Sequence, residues 1–409
     1  MKQELKEKLE TCVRNGELLH WRWSQTQTQR IEAYLVGQGK SCLADKKRQV
    51  SDQKRYLTVV VPLDGSSQGV YSGEVNESRE ASALVSDFIT KAKVSQEKIW
   101  PIPSNKELDI PNVKSFDPKV IENPAAVANE FVKRIEKSVA EIQAAQFNSG
   151  EIFVTASETY ILASNGFSEV KKSSTCYAEV CFSSHKSRDH DSQEFVVTKW
   201  AVHPDQINIK DMCERSVEGA NQLAIAEKMP TGQFNVIVDS EVLAHIYEDV
   251  VSQLNIKRKY LSLPFIASGD KIVDSEDASY NISLDPTIPY GLQTSVFDRW
   301  GVEQKPLTLV TDNRVIHNIV DNQYGHYLGK VANTSVGNIK LESRNSVSVK
   351  ELRKKSGTVI EVLQLSGLFT DPNSLTFSSE IRLAKIYDNS TGKIFYAKGG
   401  NLSGSFKRN

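Results

Sequence analysis

Between Glu17 and Leu35 the chain reads ELLHWRWSQTQTQRIEAYL, a stretch that alternates polar and apolar residues at the period of a strand rather than a helix. Trp21, Trp23 and the Thr/Gln run suit a long, twisted strand, and a chain that opens this way needs a sheet to hold it. Arg55 to Val61 supplies a second strand, and LDGSSQG (63–69) supplies turn residues ahead of VYSGEVN, so the pattern is a hairpin. Asn76 is placed to cap a helix from Ser78 to about Val94, where Ala81, Leu84, Val85, Phe88 and Ile89 recur at helical spacing. The first residues, MKQELKEKLETCVRNGELLHW, are charged throughout and predict a surface helix, not a secretory signal.

Pro101, Pro103 and Pro111 break any periodicity and predict a surface connection. Asn123-Pro124 then opens a long helix whose face of Val127, Phe131, Ile135, Val139 and Ile142 is expected to run to Phe147, with Gly150 ending it. Glu151 to Ser184 predicts a three-strand meander (EIFVTAS, TYILASNG, STCYAEVCFSS) with a tight turn at Asn165-Gly166. HKSRDHDS (185–192) predicts a polar hairpin tip, and His185, Asp189, His190 and Asp191 there weigh far more as solvated residues than as a metal cluster. A strand from Phe195 to Trp200 and a helix from Ile209 to Glu227 follow. Met229-Pro230-Thr231-Gly232 marks a boundary. Beyond Ile256 short extended runs and turns dominate. The expected fold class is α+β: an N-terminal α/β domain (1–228) with an antiparallel sheet and long helices, then a mainly β, sandwich- or barrel-like C-terminal domain (229–409).

With 409 residues, 39% hydrophobic and 25% charged, the chain is long enough for two domains of ordinary globular composition. A formal net charge of -1 gives no field for gripping nucleic acid. No window approaches the roughly 20 apolar residues of a membrane span. Cys12, Cys42, Cys176, Cys181 and Cys213 form an odd set without CxxC spacing, so a reducing cytoplasm and buried, unreactive thiols are expected. Cys176 and Cys181 would face opposite sides of one strand. GxSxG is absent.

The stretch FNVIVDSEVLAHIYEDVVSQ (234–253) is a short strand leading into an amphipathic helix. Projected at about 100° per residue, Val242, Leu243, Ile246, Val250 and Leu254 share one arc, and Glu241, His245, Glu248, Asp249 and Ser252 the other. His245 and Asp249, one turn apart, are the weak candidates for a two-ligand half-site. A solvated or partner-facing surface accounts for the same pattern. No cysteine follows Cys213, and the later histidines, His317 and His326, lie in strand and turn contexts.

Several stretches, in order, resemble the TldD/PmbA family. LASNGF (162–167) is similar to the family's Asn-Ser-x-Gly turn. PTGQFNVIVDSEV (230–242) is similar to its Pro-Thr-Gly segment, and DPTIPYGLQTSVFDRWGV (285–302) to its Phe-Asp-containing loop. Gly337-Asn338 is similar to its Thr-Gly-Asn motif, and LQLSGLFTDPNSLTFSSEIRLAKIYDNSTGKIFYAKGGNLSGSF (363–406) is similar to its closing region. The motif positions are Asn165, Gly166, Thr231, Gly232, Asp298, Gly301, Gly337 and Asn338. Arg299-Trp300 departs from the pattern, where acidic residues are common, and so does Ser379-Glu380, where a Gly-rich turn is expected.

The resemblance implies paired subunits enclosing a chamber, one TldD-like with a zinc-binding HExxxH helix, the other PmbA- or TldE-like without it. Anchored on VIVDSEV, the metal histidines fall at Glu248 and Gln253 and the glutamate at Asp249, so this chain is expected to be the non-catalytic subunit. It would carry no cofactor itself, with zinc in a TldD-like partner. That pair would form a cytoplasmic heterodimer or larger assembly cleaving unfolded or leader peptides, with no direct nucleic-acid or membrane contact. The alternatives are an autonomous or homodimeric metallopeptidase with a site rearranged around His245, and a regulatory protein acting on DNA gyrase, as the family's modulator label suggests.

Overall fold

The computed structural model describes residues 1–38, 41–76, 78–103, 113–184, 194–232, 234–274, 279–343 and 346–406. The tip 185–192 and Pro111 therefore lie outside the described residues. The fold is α+β, as its sequence predicts.

The opening alternation forms strand β1 (His20–Gln38), which runs antiparallel to β2 (Ser41–Asp64) on one side. With β3 (Ser67–Glu74), β4 (Gln96–Lys98), β5 (Ala145–Ala163), β6 (Ser168–Ser184) and β7 (Glu194–Ala201) it builds a sheet of order β4-β3-β2-β1-β5-β6-β7. A strand of nineteen residues spans about 60 Å, more than one pair of helices can cover. The sheet solves this with two separate cores on one face. Trp21 and Trp23 pack under α1 (Gln3–Arg14) and α2 (Ala81–Lys93), while Ile31, Ala33 and Leu35 pack under α4 (Pro124–Glu141) and α5 (Ile209–Ala224), with the short α3 (Pro118–Glu122) alongside. The Thr/Gln run lies between the two cores, where partly exposed polar side chains cost little.

Several expectations change. The first helix is amphipathic, burying Leu5, Leu9 and Cys12. Asn76 does not cap α2, which starts at Ala81; its Oδ1 accepts the Ser78 N–H in a local turn instead. Residues 145–150 are strand, so α4 stops at Glu141 and Gly150 ends nothing. Those residues pair with the far end of β6, and at Gly150 a Cβ would lie 2.9 Å from the Glu179 carbonyl oxygen. The expected three-strand meander is two long strands, because EIFVTAS and TYILAS continue one another without a turn. The helix expected to reach Glu227 ends at Ala224, since Glu227 and Lys228 form a strand elsewhere. All five cysteines are free, four of them buried, and burial pushes the Cys176 and Cys213 thiols up to about 12.

The opposite sheet face is polar. Arg22, Ser24, Thr26, Thr28 and Arg30 line it on β1, with Thr26 bonded to Thr159 (3.0 Å) and Thr28 to Ser157 (3.1 Å) across to β5. Toward its far end a ladder of rings, Tyr34, Phe153, Tyr177 and Trp200, crosses four adjacent strands with centroids 5.7, 5.3 and 4.5 Å apart.

After β8 (Glu227–Lys228) and β9 (Asn235–Ile237) come α6 (Ser240–Gln253) and α7 (Ile256–Tyr260). A second sheet of order β12-β11-β10-β13 uses β10 (Tyr280–Asp285), β11 (Leu307–Thr311), β12 (Arg314–Val315) and, after α8 (Asn322–Tyr327), β13 (Asn338–Ser343). Following α9 (Val349–Leu352), a third sheet takes β14 (Thr358–Leu365), β15 (Phe369–Asp371), β16 (Thr376–Asp388), β17 (Lys393–Lys398) and β18 (Asn401–Ser405). Its order is β8-β17-β16-β14-β9, with β8 parallel to β17 and β9 parallel to β14. The N-terminal sheet meets these parts through ring contacts such as Phe167 on Phe297 and Trp100 on Trp300.

Candidate functional site

Asp239 starts α6, its Oδ1 accepting the backbone N–H groups of Glu241 (3.0 Å) and Val242 (2.9 Å). The buried face is Ile246, Tyr247, Val250, Val251 and Gln253. This is turned relative to the expected arc: Val242 and Leu243 are only half-buried, and Asp249 is half-buried with its Oδ2 enclosed and without a hydrogen-bond partner among the described residues. Tyr247 accounts for the turn, because its ring packs edge-on against Tyr280 and Phe406 at 5.6 and 5.1 Å.

Gln253, where the family resemblance places a metal histidine, is 0% exposed. Its Nε2 donates to the carbonyl oxygens of Pro372 (2.7 Å) and Asn373 (3.0 Å), which hold the turn after β15 against the helix. Gln253→Leu is expected to cost about 1–2 kcal/mol in a urea titration, since the turn loses its donor. Gln253→Glu should cost more, because a carboxylate would face two carbonyl oxygens.

His245 and Glu248 project outward, 66% and 65% exposed, with Nδ1 to Oε2 at 3.7 Å. Asp239, Glu241, Val242 and His245 form one wall of a groove of about 220 Å³. Residues 195–198 of β7 form the other wall, and the groove also includes residues 362–365 of β14 and Arg215 from α5. Here β7 is the edge strand. Its first residues are tied to the third sheet by Gln364 Nε2 to the Val196 carbonyl (2.7 Å) and by Arg382 to the Glu194 carbonyl (2.5 Å). Thr198, Lys199 and Trp200 beyond them are exposed.

Among the described residues, no three of His, Cys, Asp and Glu converge closely enough to hold a metal ion. A hydrolytic zinc takes about three such ligands and an open position. With Glu248 pointing to solvent and an amide at Gln253, the donor set of α6 does not fit zinc.

The motif positions fall into three places. Asn165 and Gly166 make the β5–β6 turn, where Gly166 has φ +88° and Asn165 Oδ1 accepts the Phe167 N–H (3.2 Å). That turn packs on the loop between β10 and β11: Gly301, at φ +79°, sits where a Cβ would be 2.6 Å from the Phe167 ring. Asp298 Oδ1 closes the loop by accepting the N–H groups of Trp300 (2.8 Å) and Val302 (3.0 Å). Burial raises the Asp298 carboxyl above its ordinary range against those hydrogen bonds. Asn338 pins the same loop from β13, accepting the Gln293 N–H (2.9 Å) and donating to Thr294 Oγ1 (3.0 Å) and the Asp285 carbonyl (3.1 Å). At Gly337, with φ +154°, an added Cβ would lie 2.9 Å from the Pro286 nitrogen. Thr231 and Gly232 lie apart, beside Gly399 and Gly400.

Sequence reasoning missed the pair His20 and Ser164, 144 residues apart, which no local motif signals. Ser164 Oγ accepts the Trp21 N–H (3.1 Å) and is hydrogen-bonded to His20 Nδ1 (2.7 Å). His20 is buried, and burial, aided by Arg22, brings its imidazole down to about 4.

Residues 231–408 match the model of the PmbA/TldA metallopeptidase C-terminal domain. This region carries the C-terminal domain of the PmbA/TldD family. No curated protein matches it by sequence. Among solved structures it is similar to a protein named as a modulator of a DNA gyrase from Thermotoga maritima, with TM-score 0.78 and 16% identity over 99% of this chain and 92% of that one. A protein of the same designation from Bacteroides thetaiotaomicron gives TM-score 0.78 at 15% identity, over 99% and 91%. TldE from Thermococcus kodakarensis gives 0.77 at 15%, over 97% and 91%. At such identities these likenesses establish that the chain shares their fold along nearly its whole length. No helix among its described residues is long and apolar enough to cross a membrane.

Proposed function

We propose that this chain is the PmbA/TldE-like, non-catalytic subunit of a peptidase whose TldD-like partner carries the zinc, the pair cleaving unfolded or leader peptides. The observation that carries this reading is α6, where a buried amide at Gln253 holds a neighbouring turn and Glu248 points to solvent, so that the helix wall offers no ligand set. An extended peptide would lie along the open edge of β7 beside Trp200, held by main-chain hydrogen bonds that ask little of its side chains. Residues 1–228 and 229–409 act as the two domains of this subunit, and the motif positions around Asp298 and Gly301 hold them together. The free thiols suit a cytoplasmic setting.

Co-purification with a TldD-like protein encoded in the same genome, followed by peptide digestion with each chain alone and mixed, tests the proposal. Cleavage by the mixture or by the zinc-bearing partner, and none by this chain alone, is the expected result. Hydrolysis by this chain alone, with zinc bound at His245, would make it an autonomous metallopeptidase and sink the proposal. The designation of two similar structures as gyrase modulators favours a second reading, a regulator of gyrase. It predicts gyrase binding or altered supercoiling with no peptidase partner present.

A further inference from the structure

A cavity of about 480 Å³ lies between the polar face of the N-terminal sheet and the loop 291–299. Arg22 enters it from β1, Lys171 from β6 and Arg299 from the loop, against one carboxylate, Asp298. Among the described residues Arg22 has no hydrogen-bonding partner for its enclosed Nε. Lys171 has, among the described residues, only a hydroxyl, Ser295 Oγ at 3.0 Å, which donates its own proton to the Phe297 carbonyl (2.8 Å). Arg299 lies over the Trp300 ring, 5.4 Å from its centroid. Asp298 spends Oδ1 on two backbone N–H groups of its own loop, so it is a structural carboxylate before it is a counter-ion.

Partly buried cations that outnumber the carboxylates beside them are costly unless something negative joins them. The surroundings suit such a visitor: hydroxyls of Thr159 and Ser173 line the cavity, and the volume exceeds that of a bare inorganic ion. We propose that this cavity binds a small ligand through an oxyanion, carboxylate or phosphoryl, held between Arg22 and Lys171, with Arg299 at the rim. Arginine supplies a planar fork of donors and lysine a point charge, a combination that recognises an oxyanion by charge and leaves the body of the ligand to the hydroxyls. Burial lowers the affinity of both Arg22 and Lys171 for their protons, and Asp298 offsets only part of this at Arg22, where Arg299 adds to it. The site is separate from the α6 groove and stands whether or not the peptidase reading holds.

Isothermal titration and thermal melting of the full chain test it with three probes: inorganic phosphate, N-acetyl-alanyl-alanine and the C-terminal amide of that dipeptide. Phosphate, the free acid or both should bind and raise Tm, and the amide should not. Which of the two binds separates a phosphoryl from a carboxylate ligand. Lys171→Gln and Arg22→Gln should each weaken binding roughly tenfold or more, the worth of one charge-assisted hydrogen bond, while exposed Lys354→Gln leaves it unchanged. The comparison of acid with amide needs no variant, so a poorly folding mutant does not spoil it. Binding of the amide as tight as that of the acid, no response to either anion, or full binding in both cavity variants would overturn the proposal.

Discussion

Gly301→Ala is expected to destabilise the chain by about 2–5 kcal/mol, with roughly 1–2 from forcing a side chain into left-handed backbone and 1–3 from overpacking. The position has φ +79°, and an added Cβ would fall 2.6–2.8 Å from three atoms of the Phe167 ring. That ring belongs to a small core with Ile161 and Phe297 that joins the β5–β6 turn to the β10–β11 loop. Denaturant titration of Gly301→Ala, Phe167→Leu and the double variant separates the two terms. The smaller side chain at 167 should recover the packing part and leave the backbone part. A double variant no better than Gly301→Ala would show that the ring contact carries none of the cost.

The second large effect is a loss of stability in mild acid through His20. In the unfolded chain its imidazole takes up a proton near 6.5, whereas in the fold burial holds it down to about 4. Between those values the unfolded state binds more protons, so the contribution is complete above 6.5, falls as pH drops, and levels off below 4. Over that window the loss is roughly 3 kcal/mol. His20→Gln keeps a hydrogen-bonding partner for Ser164 Oγ, as donor or acceptor, and removes the titration. The wild type should therefore lose more stability than the variant between pH 7.5 and 4.5, measured as urea midpoints. Comparison with the variant cancels the carboxylates, including Asp298 and Glu151, whose raised values act in the opposite sense. Parallel pH curves would place the protonated ring in contact with water and refute the assignment.

How much of this could be read in advance depended on range. Period-two alternation from Glu17 to Leu35 is a property of consecutive residues, and it gave β1 directly. Asn123-Pro124 gave the start of α4, where Asn123 Oδ1 accepts the Ala126 N–H at 3.0 Å. The end of α4 was invisible because no breaker follows Glu141; the chain leaves the helix at Ile142 because residues from Ala145 onward have a partner in β6, far along the sequence. The same limit applies at the site. The outward positions of His245 and Glu248 follow from helical periodicity, while the burial of Gln253 depends on carbonyls at 372 and 373. His20 with Ser164, and Arg22 with Lys171, meet only when strands distant in sequence are laid side by side.

The two parallel pairings of the third sheet bear on how the chain reaches its native state. The segment 227–237 supplies both outer strands of that sheet, β8 against residues 397–398 and β9 against 359–361. During synthesis this segment is made long before either neighbour, and closing such separations costs loop entropy that is repaid only at the end. The connection between the two halves thus remains an unfilled template until residues 359–361 and then 397–398 have emerged, and β8 can settle only after β17 has formed.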